Sequence, residues 1–190
     1  VRVIAGEARG RRLAAPGSDR VRPTADRVKE ALFSILTSRL GTLHGCRVLD
    51  LFAGTGNLGI EALSRGARQA VFIDSHPESL RFVRQNLATT GLAERATVMA
   101  ADVLKGIARL GAANERFDLV FLDPPYGEPD LLRQTLTALA DAGLLTPGGL
   151  VAAETSKKAG PLVSDQRLQL VDSRTYGATT VVLVTTATGV

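Results

Sequence analysis

Seven short apolar runs recur along the chain, most of them separated by stretches whose apolar residues return every three or four positions. The runs are Arg47–Leu51, Ala70–Asp74, Ala96–Ala100, Asp118–Leu122, Leu150–Ala153, Leu168–Ser173 and Thr179–Val184. Their length and their Val, Ile, Leu and Phe content predict buried strands. Between the first five lie helical patterns near Leu58–Ser64, Glu78–Thr89, Val103–Arg109 and Asp130–Ala142, with Gly66, Gly91 and Gly143 where such helices would end. Alternation of this kind predicts a parallel sheet covered by helices on both faces. The last two runs are joined by a short Gly-containing turn, which predicts an antiparallel hairpin at one end of the sheet. Ahead of all this, Pro23-Thr24 opens another helix with Thr24 as its expected N-cap. Val28, Ala31, Leu32, Ile35 and Leu36 form its core face, and Gly41 stops it.

Residues 1–22 behave differently. Short β-prone pieces, Val1–Ile4 and Arg12–Ala14, surround Gly6, Gly10 and Gly17, with too few apolar residues for a core of their own. They predict a small hairpin, or an arm that orders on binding. The chain therefore divides into an arm (1–22) and an α/β domain (23–190). A chain of 190 residues, 45% of them hydrophobic, suits one such domain with a sizeable core. No apolar run reaches the length of a membrane span, and Val1–Glu7 lacks the apolar stretch of a signal peptide. Cys46, the single cysteine, forms no internal disulfide, which fits a reducing cytoplasm. A monomer is expected, since no further apolar stripe appears.

Charge changes the picture, because it is unevenly placed. Residues 1–30 carry eight Lys/Arg and four Asp/Glu, and that difference equals the net +4 of the whole chain. A basic arm on a balanced body can neutralise phosphates and steer a polyanion toward a nearby site.

Two strand ends carry the candidate chemistry. At the first, Asp50 precedes Phe52-Ala53-Gly54-Thr55-Gly56-Asn57-Leu58-Gly59. The glycines let backbone N–H groups approach a ligand closely. A carboxylate just before the loop would repel a diphosphate but suits an ammonium, as in the methionine part of S-adenosylmethionine (SAM). Asp74 ends the next strand, a natural place to accept from both ribose hydroxyls, with Ser75 beside it. Asp102 follows the third strand, placed to accept from an adenine amine, and Val103 to pack on the ring. At the second strand end stands Asp123-Pro124-Pro125-Tyr126. An exocyclic base amine is a poor nucleophile because its lone pair is delocalised into the ring. Two acceptors aligned with its N–H bonds, the Asp123 carboxylate and the Pro124 carbonyl, pull the nitrogen toward tetrahedral geometry. Tyr126 offers a stacking face worth about 1–3 kcal/mol. The combination implies methyl transfer from SAM to a base amine. His44 and His76 have no ligand cluster around them, and no metal is expected.

Together these residues resemble the RsmD family, methyltransferases acting on the N2 amine of a guanine in small-subunit ribosomal RNA. The similarity runs through Arg2–Gly6, Arg9–Leu13, Val21–Phe33, Leu49–Gly59, Glu61–Ala67 and Asp123–Tyr126, with Arg-Pro-Thr-x-Asp-Arg-Val (22–28) the most specific segment. The resemblance implies a Class I SAM-dependent methyltransferase (Rossmann-like) fold, with cofactor over Gly54–Gly56 and a flipped base at Asp123–Tyr126. It also implies RNA gripping by the arm through Arg9, Arg11 and Arg12, with Arg22, Thr24 and Arg27 near the site mouth. The substrate would be ribosomal RNA, in an assembling small subunit. Removing residues 1–22 is then expected to weaken RNA binding and leave the cofactor site alone. Three rivals stay open: an N6-adenine methyltransferase acting on DNA, a nicotinamide dehydrogenase, and an RNA-binding module that kept the fold without its chemistry.

Overall fold

A computed structural model describes residues 1–17, 23–125, 128–156, 162, 163 and 165–187. The order of elements is α1 (Pro23–Leu40), β1 (Arg47–Leu51), α2 (Asn57–Ser64), β2 (Gln69–Asp74), α3 (Pro77–Thr90), a 3₁₀ turn (Ala93–Arg95) and β3 (Ala96–Ala100), followed by α4 (Val103–Ala112), β4 (Phe117–Leu122), α5 (Pro129–Asp141), β5 (Leu145–Ser156), β6 (Leu168–Tyr176) and β7 (Thr179–Thr186). One seven-stranded sheet runs β3-β2-β1-β4-β5-β7-β6. The first five strands pair in parallel. The expected hairpin, β6–β7, closes one end antiparallel, with β7 against β5. The strand order reverses at β1, which lies between β2 and β4. Ligands of open parallel sheets bind outside the carboxyl ends of strands at such a point.

Period-two alternation sends successive side chains to opposite faces of the sheet. Val48, Phe72, Leu119 and Phe121 belong to one core, which also takes Leu32, Phe33 and Leu36 of α1, Ile60 and Leu63 of α2, and Val83 and Leu87 of α3. Leu49, Leu51, Val71, Ile73, Val120 and Leu122 belong to the other, with Ile107 of α4 and Leu132, Leu136 and Leu139 of α5. Phe33, outside the expected stripe on α1, is fully buried and meets the Phe121 ring at 5.6 Å between centroids.

Several elements run a few residues longer than the sequence reading, among them β6 to Tyr176 and β7 to Thr186, and two starts differ for a local reason. The first helix begins at Pro23, so Thr24 lies inside the first turn and is not the N-cap; proline favours the first helical position because its missing N–H would be unpaired there anyway. β5 begins at Leu145, not Leu150. Leu145 pairs with Phe117 and Leu150 with Leu119, so residues 146–149 bulge out of the ladder. The Pro-Gly-Gly among them reads locally as a turn.

The N-terminal segment is a hairpin docked on the body. Arg2 and Arg12 bridge antiparallel, and Val3, Ala8 and Leu13 enter the first core at 3% exposure or less. Ser64 at the end of α2 accepts from the Glu7 N–H through its carbonyl (2.9 Å) and from the Ala8 N–H through Oγ (3.0 Å), while Oγ donates to the Ala5 carbonyl (2.6 Å). Gly6 permits this: a Cβ there would stand 1.8 Å from the Ser64 carbonyl oxygen. Among the described residues no helix is long and apolar enough to cross a membrane.

Candidate active site

The register brings the candidate carboxylates to one face and one end of the sheet. Asp50 lies level with Phe72 of β2 and Phe121 of β4. Two residues further along, the same face carries Asp74 on β2 and Asp123 just past β4. The last registered pair of β4 and β5 is Leu122 with Ala153. One step on, Glu154 of β5 comes beside Asp123 on strands about 4.8 Å apart.

Each of these groups has a distinct environment. Asp50 is 3% exposed and accepts from the Gly59 N–H at 2.9 Å, pairing an amide in the first turn of α2. Gly59 has to be glycine, since a Cβ would lie 2.4 Å from the Phe72 ring and 2.9 Å from the Asp50 carboxylate. Burial pushes the Asp50 carboxyl up to about 8; the Gly59 N–H opposes the shift, and the Asp123 and Asp74 charges add to it. Asp74 is buried too, with Oδ2 accepting from the Gly54 N–H (2.9 Å) and Oδ1 from the His76 N–H (2.8 Å). It thereby fixes the loop after β1 against the end of β2. That loop is further held by Ala53 N–H to the Ile73 carbonyl (3.1 Å) and Gly56 N–H to the Ala53 carbonyl (2.7 Å). Phe52, Gly54 and Gly56 all have left-handed backbones, φ 57°, 56° and 76°. For a phenylalanine that conformation is strained, and such strain gathers at functional sites.

The other expected cofactor residues are placed as follows. Thr55 stands in the loop between the two glycines, and Ser75 is exposed after β2. Asp102 caps α4, Oδ1 accepting from the Leu104 (3.1 Å) and Lys105 (3.2 Å) N–H groups. Val103 packs into the core beneath α4.

At the second strand end, solvent reaches Asp123, yet the surrounding chain desolvates its carboxyl enough to push it up to about 6. Pro124 is half-buried, Pro125 exposed, and Tyr126 lies outside the described residues. Glu154, half-buried, is pushed up to about 7, by burial first and then by the Asp123 carboxylate. Sequence reasoning missed Glu154, because a polar residue closing an apolar run looks like the edge of a strand. It also gave no role to Lys29, Glu61 or Asn86, polar side chains that are 3%, 0% and 1% exposed. No local signal marks them, since polar residues on helices lie by default at the surface.

Of the expected RNA-contacting residues, Arg9, Arg11, Arg12 and Arg27 are exposed. Arg9 and Arg27 line one recess of about 400 Å³ between hairpin and α1, together with Arg2, Asp26 and Glu30. Arg2 is paired there with Asp26 at 3.0 Å. Arg22 and the Thr24 side chain lie outside the described residues.

Known proteins share both sequence and fold. Ribosomal RNA small subunit methyltransferase D of Haemophilus influenzae is 37% identical over 178 residues, 93% of this chain and 89% of that protein. Its namesake in Escherichia coli K12 is 37% identical over 160 residues, 84% of this chain and 77% of that one. The solved structure of yhhF from Escherichia coli superposes with a TM-score of 0.85 at 31% identity, covering 100% of this chain and 99% of its own. The sheet is therefore that of a Class I SAM-dependent methyltransferase, mostly parallel with an antiparallel hairpin at its C-terminal end. A family profile described as Conserved hypothetical protein 95 matches residues 1–185, and the chain belongs to that family, the RsmD family.

Proposed function

We propose that this protein transfers the methyl group of SAM to the N2 amine of a guanine in small-subunit ribosomal RNA. The observation that carries the reading is the convergence of Asp50, Asp74 and Asp123 on one face, at the carboxyl ends of three adjacent parallel strands, around the left-handed Phe52–Gly56 loop. The donor set fits SAM. Asp50, buried and costly to ionise alone, suits the ammonium of the methionine part, and binding that cation favours the carboxylate. Asp74 keeps further lone pairs for the ribose hydroxyls. Asp102 has one carboxylate oxygen beyond its capping role for the adenine amine, the Gly54–Gly56 backbone leaves room for close approach, and Val103 closes the floor beneath. Phe52, Ala53, Thr55 and Ser75 line the same loops.

Bound there, SAM supplies an electrophilic methyl group. The Asp123 carboxylate and the Pro124 carbonyl accept from the two N–H bonds of the amine and aim its lone pair, while Pro125 stiffens the turn. Tyr126 stacks on the base. The amine nitrogen that accepts the methyl group would give up one proton, and Asp123 would take it. Desolvation by the surrounding chain puts the Asp123 carboxyl at about 6, where it gains and gives up protons near neutral pH. The reading assigns no role to a metal. Arg9, Arg11, Arg12, Arg22, Thr24 and Arg27 grip the RNA backbone, and the protein acts as a monomer in the cytoplasm on an assembling particle.

The test is radiolabelled methyl transfer from SAM to undermethylated small ribosomal subunits, naked ribosomal RNA and duplex DNA, each digested to nucleosides. N2-methylguanosine from ribosomal substrate is the expected product. N6-methyladenine from DNA would keep the chemistry and overturn the substrate.

A further inference from the structure

Two buried polar side chains tie the cofactor loop to the N-terminal hairpin. Asn86 of α3 accepts from the Ala14 N–H through Oδ1 at 2.7 Å, and its Nδ2 donates to the carbonyls of Ala14 and Thr55, both at 2.9 Å. On the other side, Lys29 of α1 donates from Nζ to the Arg2 carbonyl (2.6 Å) and to Asn57 Oδ1 (2.7 Å), and lies 3.1 Å from the Glu61 carboxylate. Glu61 in turn accepts from the Ile4 and Ala5 N–H groups at 2.8 and 3.0 Å and from Arg65 Nε at 2.8 Å. Thr55 and Asn57 are the two neighbours of Gly56. Each flank of that glycine is thus tied to one limb of the hairpin, Asn57 to Arg2 and Thr55 to Ala14.

Stability alone does not account for this arrangement. A buried ion pair recovers its desolvation cost only with good geometry and further hydrogen bonds, and apolar replacements are often as stable. What buried, fully partnered polar groups add is a single fixed geometry. Here Asn86 joins the hairpin to the Thr55 carbonyl in the loop between β1 and α2, and Lys29 joins it to Asn57 where that loop enters α2, so the geometry fixed is that of the loop's exit into the helix.

We infer that Lys29 and Asn86 are positioning residues that make the hairpin part of the frame of the cofactor loop, so that cofactor binding and hairpin order are coupled. The inference rests on the Phe52–Gly56 loop, with the start of α2, being the SAM loop. The hairpin is then no separable arm. Removing it takes away partners of Lys29, Glu61, Ser64 and Asn86 together, and weakens cofactor binding as well as RNA binding. By thermodynamic reciprocity, RNA held on the hairpin shifts the affinity of the loop for cofactor in the same measure as cofactor shifts RNA affinity.

Hydrogen–deuterium exchange on the wild-type chain tests this without a mutation. Adding S-adenosylhomocysteine is expected to slow exchange at the Ile4, Ala5 and Ala14 amides as well as in the loop. Slowing at Gly54 and Gly59 with no change at those three amides would overturn the coupling. Asn86→Ala and Lys29→Met, checked for folding, are expected to bind S-adenosylhomocysteine about tenfold more weakly by calorimetry. In turnover the loss falls on KM for SAM rather than on kcat, whereas Arg84→Ala, an exposed change on α3, keeps wild-type affinity. Wild-type affinity in folded Asn86→Ala and Lys29→Met would equally overturn it. Failure of the wild-type chain to bind S-adenosylhomocysteine at all would fall on the cofactor reading, and the inference would go with it.

Discussion

The two faces of this sheet are built on different terms. Toward α4 and α5 the core is Leu, Ile, Val and Phe, and the buried polar residue of α5, Thr135, satisfies its hydroxyl on the Leu131 carbonyl of its own helix. Toward α1, α2, α3 and the hairpin, the same sheet buries Lys29, Glu61, Ser64 and Asn86 among its packing helices and Asp50 and Asp74 at its strand ends. Both faces gain from apolar burial at a similar rate per unit area. The difference lies in what each must hold. Among the described residues the face that only closes the fold buries no charged group, because each polar group buried needs a partner. The face that carries the proposed cofactor site keeps such groups, each with partners drawn from a separate element.

That contrast can be broken at several points. The largest effect is expected from Glu61→Ala, which leaves Lys29 buried without its counter-ion and the Ile4 and Ala5 amides without their acceptor. Loss of one partner of such a pair costs about 3–5 kcal/mol. Urea unfolding would read it, and cofactor affinity should fall with it. Next, Leu136→Ala on the apolar face, where Leu136 is 2% exposed, should cost about 3 kcal/mol by leaving a cavity. Calorimetry on the folded variant should find cofactor affinity unchanged; a matching loss would erase the distinction between the faces.

A smaller effect should appear with pH. Burial holds the Asp50 carboxyl at about 8 against an ordinary 3.8. Between those values the folded protein binds more protons than the unfolded chain, so stability is fully present below the lower value and declines as pH rises toward the upper one. Glu154 at about 7 and Asp123 at about 6 act in the same direction. Urea midpoints compared near pH 5 and pH 8 should therefore fall, and Asp50→Asn should flatten the trend. A midpoint that rises with pH and is indifferent to Asp50→Asn would refute this. The smallest effect belongs to the exposed hairpin charges. Arg11→Ala should lower the slope of log RNA affinity against log salt by about 0.7, the contribution of one phosphate contact on a single strand. Salt titration of RNA binding checks it, and an unaltered slope would remove Arg11 from the RNA surface.

How far the chain could be read from its sequence also divides along this line. Alternating strands and helices, and the terminal hairpin, were legible because apolar runs and turn residues are local signals. The start of β5 was not, since Pro147-Gly148-Gly149 has turn chemistry and only the ladder with β4 shows that it is a bulge. The docking of the hairpin was hidden because Val3, Ala8 and Leu13 follow neither helical nor strand periodicity; their burial depends on Gly6 meeting Ser64 across 58 positions of sequence. Within the site, Asp50, Asp74 and Asp123 could be found as acids at strand ends. Glu154 could not, because its significance arises from the β4–β5 register. Nor could Lys29 and Asn86, since polar residues on helices are by default at the surface and only tertiary contact reveals them as ties.

The most direct test of the central claim is one preparation of Asp123→Ala examined for both binding and turnover. The account predicts S-adenosylhomocysteine affinity within about threefold of wild type, because Asp123 holds the amine and not the cofactor, and a loss of methyl transfer of at least about a hundredfold, the usual range for a group that aims a nucleophile and takes its proton. Methyl transfer at the wild-type rate by the folded variant would contradict it.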